Sequence, residues 1–197
     1  MQIRKLFKVE GAHIVRNCST NRCRKSIHGH SAIIEVFLTS DKLDNGGMIV
    51  DFSLIKRNIG QWIDSFDHCM LIWKKDKEEY KNDMKKWCDR WIELPISPSA
   101  ENLALYICYM INAMLKATEF NNGEGNVKCN KVIYHETATG YAEATINDFD
   151  LLPVDLSAAY SVGVLNDWSE ELHSFFRHVK ESDGKYFINP KVEKQIK

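Results

Sequence analysis

Alternation of polar and apolar residues predicts most of the strands in this chain, because successive side chains of a strand point to opposite faces. The clearest alternating run is residues 28–39, where His28, His30 and Ala32 begin a face that continues to Leu38. A turn-forming run, residues 44–47, follows it. Further short runs predict four more strands, at residues 1–10, 48–50, 127–136 and 140–147.

Apolar residues at three- and four-residue spacing predict helices between the strands. Asp51 or Ser53 can cap the first helix, which continues to Phe66. The most regular helix begins with Pro98 at its first helical position and continues to Met114. Two further helices are predicted, an amphipathic one over residues 74–91 and a C-terminal one that contains Trp168, Leu172, Phe175, Phe176 and Val179.

The order of these elements predicts an α+β fold. Strands followed by helices and then by strands are expected to form an antiparallel sheet with its helices gathered on one face. Residues 1–147 contain this whole pattern and are predicted to form one domain, with a helical insertion at about 74–92. Residues 148–197 have no clear strand pattern and are predicted to be a C-terminal extension of unknown role.

Composition indicates an ordinary globular protein of the cytoplasm. The chain has 197 residues, of which 44% are hydrophobic and 27% charged, and a formal net charge of -1, whereas a non-specific nucleic-acid binder needs a basic surface. No apolar run approaches the roughly 18 residues of a membrane helix, and the N-terminus lacks the apolar core of a signal peptide. The six cysteines are scattered without a CxxC pair, which favours free thiols in a reducing compartment.

Three histidines are the most informative polar residues. In His28-Gly29-His30 the two imidazoles project from the same face of a strand, about 7 Å apart between Cα atoms. If the first strand pairs antiparallel with this one, His13 comes close to both. Three imidazoles with one open position are typical of a catalytic zinc site. The same spacing also fits unrelated polar residues, so spacing alone leaves both interpretations open.

A cysteine lies close to this group in the sequence. Cys23 precedes His28 by five residues, in a loop that also contains Arg22, Arg24 and Lys25. Nearby positive charge favours the thiolate, which could act as a base or nucleophile. The alternative is a small loop thiol without a chemical role.

Two further features could supply acid-base chemistry or substrate recognition. Asp67 precedes His68, and a carboxylate that orients an imidazole is a common proton-transfer device. The same pair could instead end a helix. Glu136 ends a strand, where its two oxygens could accept two N–H bonds from an amino-pyrimidinone edge; the alternative is an exposed glutamate.

Six short motifs, in order over residues 3–147, resemble those of the 6-pyruvoyl-tetrahydropterin synthase / 6-carboxytetrahydropterin synthase family. They are Val9–His13, Cys23 with His28–His30, Gly47–Lys56, Phe66–Leu71, Pro98–Asn102 and His135–Thr137. The resemblance implies a tunnelling fold, with a four-stranded antiparallel sheet, two main helices on one face, and subunits joined edge to edge into a β-barrel. It also implies a homohexamer built as a dimer of trimers, with active sites at subunit interfaces.

The resemblance assigns a metal and a base. His13, His28 and His30 would bind Zn2+, and Cys23 would be the base that abstracts protons. Cys18 lies in the same loop and is the second candidate for this thiol.

The remaining roles that the resemblance implies concern proton relay and substrate binding. Asp67 and His68 would form a second acid-base relay. Glu136 would anchor the pterin ring, Thr137 would assist it, and Glu101 would support the site from the start of its helix.

The implied substrate is 7,8-dihydroneopterin triphosphate, and the candidates for binding its triphosphate are Arg16, Arg22, Arg24 and Lys25. We favour a lyase that forms 6-carboxy-5,6,7,8-tetrahydropterin, the step that leads to queuosine and other 7-deazapurines. Four residues separate Cys23 from His28–His30. This spacing is one residue longer than is typical of enzymes that form the 6-carboxy product and one residue shorter than is typical of those that form the 6-pyruvoyl product. Formation of 6-pyruvoyl-tetrahydropterin therefore stays open, as does a non-catalytic pterin-binding homologue.

Overall fold

The computed structural model describes residues 1–152, 161–162, 167–178 and 184–193. The described strands are β1 (Gln2–His13), β2 (His28–Thr39), β3 (Cys69–Trp73), β4 (Trp91–Leu94), β5 (Thr118–Phe120), β6 (Lys128–Thr137), β7 (Gly140–Thr145), β8 (Ser161–Val162) and β9 (Phe187–Asn189). The described α-helices are α1 (Asn21–Lys25), α2 (Phe52–Ile55), α3 (Gln61–Asp64), α4 (Glu78–Trp87), α5 (Ala100–Lys116) and α6 (Glu170–Arg177). A π-helical turn, Lys56–Gly60, joins α2 to α3, and a 3-10 helix, Ile146–Leu151, follows β7.

Four strands form an antiparallel half of the main sheet, and alternation predicts all four. β1 pairs with β2 along its length, from Gln2 opposite Thr39 to His13 opposite His28. β2 pairs with β6, and β6 with β7, both antiparallel. β1 extends to His13 rather than ending at residue 10, so this histidine lies inside the strand.

The prediction of a four-stranded sheet is wrong, because the sheet continues beyond β1. Its order is β7-β6-β2-β1-β3-β4-β8. β3 pairs parallel with β1, β4 pairs parallel with β3, and the two-residue β8 pairs antiparallel with β4. In β3 the first four of its five residues are buried. A strand covered on both faces has a continuous apolar run rather than an alternating one, so the period of two does not reveal it.

The α2–α3 segment contributes Ile55, Ile59, Trp62 and Ile63 to the buried core. Asp51 caps it, because its Oδ1 accepts a hydrogen bond from the Ser53 amide at 2.7 Å, as the sequence predicts. The strand predicted at residues 48–50 is wrong, since these residues form a loop. Ile49 and Val50 are buried in the core, so their apolar character reflects packing and not a strand.

α5 is the longest described helix and packs against β6 and β7. Ser99 caps it, because its Oγ accepts a hydrogen bond from the Asn102 amide at 3.4 Å. The first helical residue is therefore Ala100, and the prediction that Pro98 occupies this position is wrong. The Pro98 carbonyl lies outside the helix and accepts a hydrogen bond from His13.

The helix predicted over residues 74–91 is shorter than expected. α4 ends at Trp87, and Trp91 begins β4. The two tryptophans are four residues apart, as on one face of a helix, but Trp87 belongs to α4 and Trp91 to β4. This spacing therefore extended the predicted helix too far.

The C-terminal residues that the structure describes pack against the same core. α6 confirms part of the predicted helix, with Leu172 and Phe175 buried, Trp168 just before its start, and Val179 outside the described residues. β9 pairs parallel with β5. Within the described ranges, no helix is long and apolar enough to cross a membrane.

Candidate metal and catalytic site

Strand register brings the three histidines together. In the β1–β2 ladder His13 lies opposite His28, and Gly11 opposite His30, and paired residues share a face of the sheet. The three ring nitrogens that could bind one ion lie within 4.8 Å of one another. His13 Nε2 and His28 Nε2 are 3.2 Å apart, close to the about 3.3 Å between two nitrogen ligands of a tetrahedral zinc ion.

Outer hydrogen bonds leave lone pairs on the inner ring nitrogens. Nδ1–H of His13 donates to the Pro98 carbonyl at 2.7 Å, and Nδ1–H of His28 donates to the Ser26 carbonyl at 3.0 Å, because a carbonyl oxygen can only accept. In a neutral ring the Nε2 atom then carries a lone pair. Nε2 of His30 is buried and has no hydrogen-bond partner among the described residues. Lone pairs that converge in this way fit a shared metal ion.

Burial keeps His13 in the form that binds metal. Its side chain is 3% exposed, and burial lowers its pKa to about 4, with nearby His28 and His30 adding to the effect and the Pro98 hydrogen bond opposing it. A neutral imidazole is required for metal binding. His13 is therefore ready to bind a metal at neutral pH without first losing a proton.

A bulge in β6 brings Glu136 to the triad. The β6–β7 register shifts between His135 and Thr137, and a bulge redirects the side chain of its extra residue. Glu136 Oε1 lies 3.7 Å from His13 Nε2 and 3.8 Å from His30 Nε2. Thr137 is exposed, and its Oγ1 accepts a hydrogen bond from the Thr139 amide at 3.4 Å.

Asp67 and His68 form a hydrogen-bonded pair although they are adjacent in sequence. His68 has a φ of 52°, an uncommon left-handed conformation that often marks a functional site. Its Nδ1 lies 2.9 Å from Asp67 Oδ2, while Asp67 Oδ1 accepts a hydrogen bond from the Glu10 amide at 2.7 Å. Burial raises the pKa of Asp67, but the Glu10 and His68 hydrogen bonds outweigh it and hold this pKa below its ordinary value. The charged carboxylate can therefore orient the His68 ring for proton transfer.

A cavity of about 580 Å³ is lined by residues from both groups. His30 of the triad and His68 of the acid-base pair contribute to its wall. Met84 and Cys88 also line it, and sequence reasoning did not assign them to the site. Met84 lies in α4, and the helical spacing that predicts an amphipathic helix there cannot show what the helix packs beside. A second cavity of about 580 Å³ has none of the predicted site residues among its described lining.

Apart from His30 and His68, the predicted site residues are not among the described residues that line this cavity. Cys23 lies in α1, where its carbonyl accepts a hydrogen bond from the Val15 amide at 3.1 Å, and it is not among the described residues that line the cavity. Cys18 Sγ donates to the Thr20 carbonyl at 3.2 Å. Glu101 is exposed in the first turn of α5.

The basic residues predicted to bind triphosphate have different surroundings. Nε of Arg16 donates to Asp76 Oδ1 at 2.7 Å, and the Arg24 guanidinium donates to the Asn21 side chain within α1. Arg22 and Lys25 are exposed on the same short helix.

Together, the sheet, the helices on its face and the convergent imidazoles define an α+β protein with a three-histidine centre. The family model described as 6-pyruvoyl tetrahydropterin synthase matches residues 2–147, and the chain belongs to this family. The 6-carboxy-5,6,7,8-tetrahydropterin synthase of Helicobacter pylori strain J99 is 35% identical over 201 residues, which cover 100% of both chains. The Aquifex aeolicus protein of the same name is 31% identical and covers 68% of this chain and 82% of its own length. The chain is thus an enzyme of the pterin synthase type, a lyase.

Solved structures show the same fold. Caenorhabditis elegans 6-pyruvoyl tetrahydropterin synthase superposes with a TM-score of 0.51 at 19% identity, covering 74% of this chain and 94% of its own. The tunnelling fold expected from the resemblance is therefore supported, with the larger sheet described above.

Proposed function

We propose that the chain converts 7,8-dihydroneopterin triphosphate and water to 6-carboxy-5,6,7,8-tetrahydropterin, acetaldehyde and triphosphate, using a zinc ion. The observation that carries this proposal is a cavity lined both by His30 of a three-imidazole cluster and by His68 of an Asp–His pair. The full-length match to a relative named for the carboxy product favours this product. We propose further that this product serves queuosine and 7-deazapurine synthesis.

The three histidines would hold the metal. Imidazole nitrogens suit zinc, copper, iron and nickel, and three such ligands with an open position favour zinc. When bound, zinc supplies a Lewis acid that acidifies protons beside the side-chain hydroxyls of the substrate. The Pro98 and Ser26 carbonyls hold the His13 and His28 rings in the metal-binding tautomer.

Residues near the three histidines would transfer the protons. His68 would take up and return a proton while the Asp67 carboxylate stabilises its charged form. Cys23 would act as the base that abstracts protons, on the strength of its motif, and Asp67 with His68 would form the second relay. Glu136 would accept N–H bonds from the pterin ring, assisted by Thr137, with Glu101 supporting the site from α5.

Product analysis tests the reaction directly. Zinc-loaded protein is incubated with the substrate, and acetaldehyde, triphosphate and pterin products are measured. Acetaldehyde in equal amount to triphosphate supports the proposal. Triphosphate with a pyruvoyl product and no acetaldehyde would assign the pyruvoyl activity, and no turnover would leave a pterin-binding homologue. His68→Ala should abolish turnover, whereas His178→Ala, a change on the exposed end of α6, should not.

We also propose that the active assembly is a hexamer built as a dimer of trimers, with residues 1–147 as the catalytic domain. Edge strand β7 supports this, because within the described sheet it pairs on one side only and an unpaired edge can join a second copy. Light scattering on purified protein gives the mass of the assembly. A monomer at micromolar concentration would contradict it.

A further inference from the structure

One arginine connects α1, the helix that contains Cys23, to the segment between β3 and β4. Nε of Arg16 donates to Asp76 Oδ1 at 2.7 Å, and its Nη1 donates to the Arg24 carbonyl at 3.3 Å. The Arg16 guanidinium carbon also lies 4.8 Å from the centre of the Tyr80 ring. Asp76 and Tyr80 belong to the predicted insertion, whereas Arg24 belongs to α1.

The surroundings of this arginine make the contact stronger than an ordinary surface ion pair. The Asp76 side chain is 6% exposed and that of Arg16 is 29% exposed, so water screens the pair less than it screens exposed charges. A planar guanidinium can bond a carboxylate and a carbonyl while it stacks on an aromatic ring. Lysine has no equivalent geometry.

The α1 helix depends on such contacts for its position. It has only five residues, and no side chain within the described ranges caps its N-terminus. A helix this short is not stable by itself. The Val15 amide bonds the carbonyl of Cys23, and Arg16 bonds the carbonyl of the next residue, Arg24. Two successive carbonyls of α1 are thus held by residues 15 and 16.

We propose that Arg16, held by Asp76 and Tyr80, is a positioning residue that fixes α1 and with it the Cys23 thiol. This inference rests on the role of Cys23 in the proposed function. The insertion would then have two roles at the site. Met84 and Cys88 line the cavity, and Asp76 and Tyr80 hold Arg16. Arg16 would then not bind the triphosphate, because its guanidinium is already bonded to Asp76 and Arg24.

Hydrogen exchange of the full-length, zinc-loaded protein tests the anchoring directly. Asp76→Asn should raise the hydrogen-exchange rate of the Val15 and α1 amides by about tenfold. Local opening of α1 then costs less, because it no longer has to break the charged Arg16–Asp76 pair. Asp83→Asn is the matched control, since Asp83 is exposed on α4 and should leave these rates unchanged. Unaltered exchange in Asp76→Asn would overturn the proposal.

A pair of substitutions at Tyr80 keeps the test valid if Asp76→Asn unfolds. Tyr80→Phe retains the ring and should leave α1 exchange unchanged, because the Tyr80 hydroxyl has no hydrogen-bond partner among the described residues. Tyr80→Leu removes the ring and should raise exchange of the same amides. Equal exchange in both variants would contradict the anchoring role of the ring.

Steady-state kinetics separate this inference from the proposed function. Misplacing a base should lower kcat about 10- to 100-fold with KM nearly unchanged, and Arg16→Lys should recover part of the kcat that Arg16→Met loses. A rise in KM alone would overturn positioning and favour phosphate binding by Arg16. If exchange rises in Asp76→Asn while Cys23→Ser keeps full activity, the anchor stands and the assigned role of Cys23 fails.

Discussion

At the residue scale, backbone carbonyls hold two of the three imidazoles, His13 and His28, before any metal binds. His13 and His28 lie opposite each other in a strand ladder, and each donates its outer N–H to a backbone carbonyl. His30 projects from the same face, and its buried Nε2 has no hydrogen-bond partner in the part of the chain that the structure describes. A metal therefore meets ligands that have already lost most of their conformational freedom, which favours tight binding.

We expect the purified protein to bind one zinc ion per chain and His28→Ala to bind less than a stoichiometric amount. Zinc should also raise the melting temperature of the wild type, because a ligand that binds only the folded state stabilises it. Metal analysis and thermal unfolding with and without a chelator measure both effects. Equal zinc content in the wild type and in His28→Ala would refute the ligand assignment, and His178→Ala serves as the control.

A second residue-scale prediction concerns Glu93, which pairs with two lysines. Its Oε1 lies 3.2 Å from Lys81 Nζ and its Oε2 lies 2.5 Å from Lys85 Nζ. Burial raises the pKa of Glu93, but hydrogen bonds from Lys85 and Lys81 outweigh it and hold this pKa below its ordinary value of 4.5. A carboxylate with a lowered folded pKa contributes stability that is complete above the unfolded pKa and is lost as pH falls through the folded pKa.

Glu93→Gln should therefore lower the free energy of unfolding by about 1–3 kcal/mol at pH 7, since it leaves the buried Lys81 without one of its carboxylate partners. The difference from wild type should shrink as pH falls below 4.5. Urea unfolding at a series of pH values measures it. Glu119→Gln, at an exposed position, should show neither effect, and a loss independent of pH would contradict the ionic explanation.

Sequence could predict the site residues whose partners lie close in the chain. The HxH spacing fixes two imidazoles on one face, and adjacent Asp67 and His68 suggest a pair. The bulge that directs Glu136 toward the triad depends on register between β6 and β7, which the local sequence does not encode. Met84 and Cys88 reach the cavity through the packing of α4, so helical spacing alone could not identify them.

At the element scale, the start of α5 connects helix capping to the metal site. Ser99 caps this helix, and the carbonyl of the preceding Pro98 holds the His13 ring. Ser97 lies two residues earlier, and its buried hydroxyl has no partner among the described residues. The two serines thus provide a matched comparison.

Ser99→Ala should lower the free energy of unfolding by about 1 kcal/mol, because it removes the acceptor for a helix N-terminal amide. Ser97→Ala should lower the free energy of unfolding by less or leave it unchanged, since the buried hydroxyl that it removes has no hydrogen bond to any described residue. Chemical unfolding of both variants gives the comparison. A larger loss in Ser97→Ala would show that the cap is not at Ser99.

The sequence predicts an element correctly where one of its faces is apolar and buried and the other is polar. β2, β6, β7 and α5 each present one apolar face, and their patterns predict them. β3 is buried on both faces, and β4 has only four residues, so neither shows a usable period. The family resemblance implied a four-stranded sheet, and the three strands that extend it, β3, β4 and β8, were not predicted because each is too short or too uniformly buried to show a usable period.

At the scale of the whole molecule, the C-terminal extension and the family domain share one core. Trp168, Leu172 and Phe175 belong to the same buried cluster as Trp62 and Phe66 of the first helical segment. Nε1 of Trp168 donates to Ser65 Oγ at 2.9 Å. β9 adds a parallel pairing with β5. These contacts join residues far apart in sequence, so composition and periodicity did not foresee them and left the role of the extension open.

This shared core predicts that the extension stabilises the catalytic domain. Leu172 is fully buried, and Leu172→Ala should lower the free energy of unfolding by about 2–5 kcal/mol, from lost burial and the cavity that remains. Unfolding should stay a single transition, because the two parts unfold together. Ile188→Ala is the control, since Ile188 is more than half exposed in β9 and its truncation should cost much less. If calorimetry of Leu172→Ala instead gave two transitions, with the larger at the wild-type temperature, the extension would be an independent unit and the stability of the three-histidine site would not depend on it.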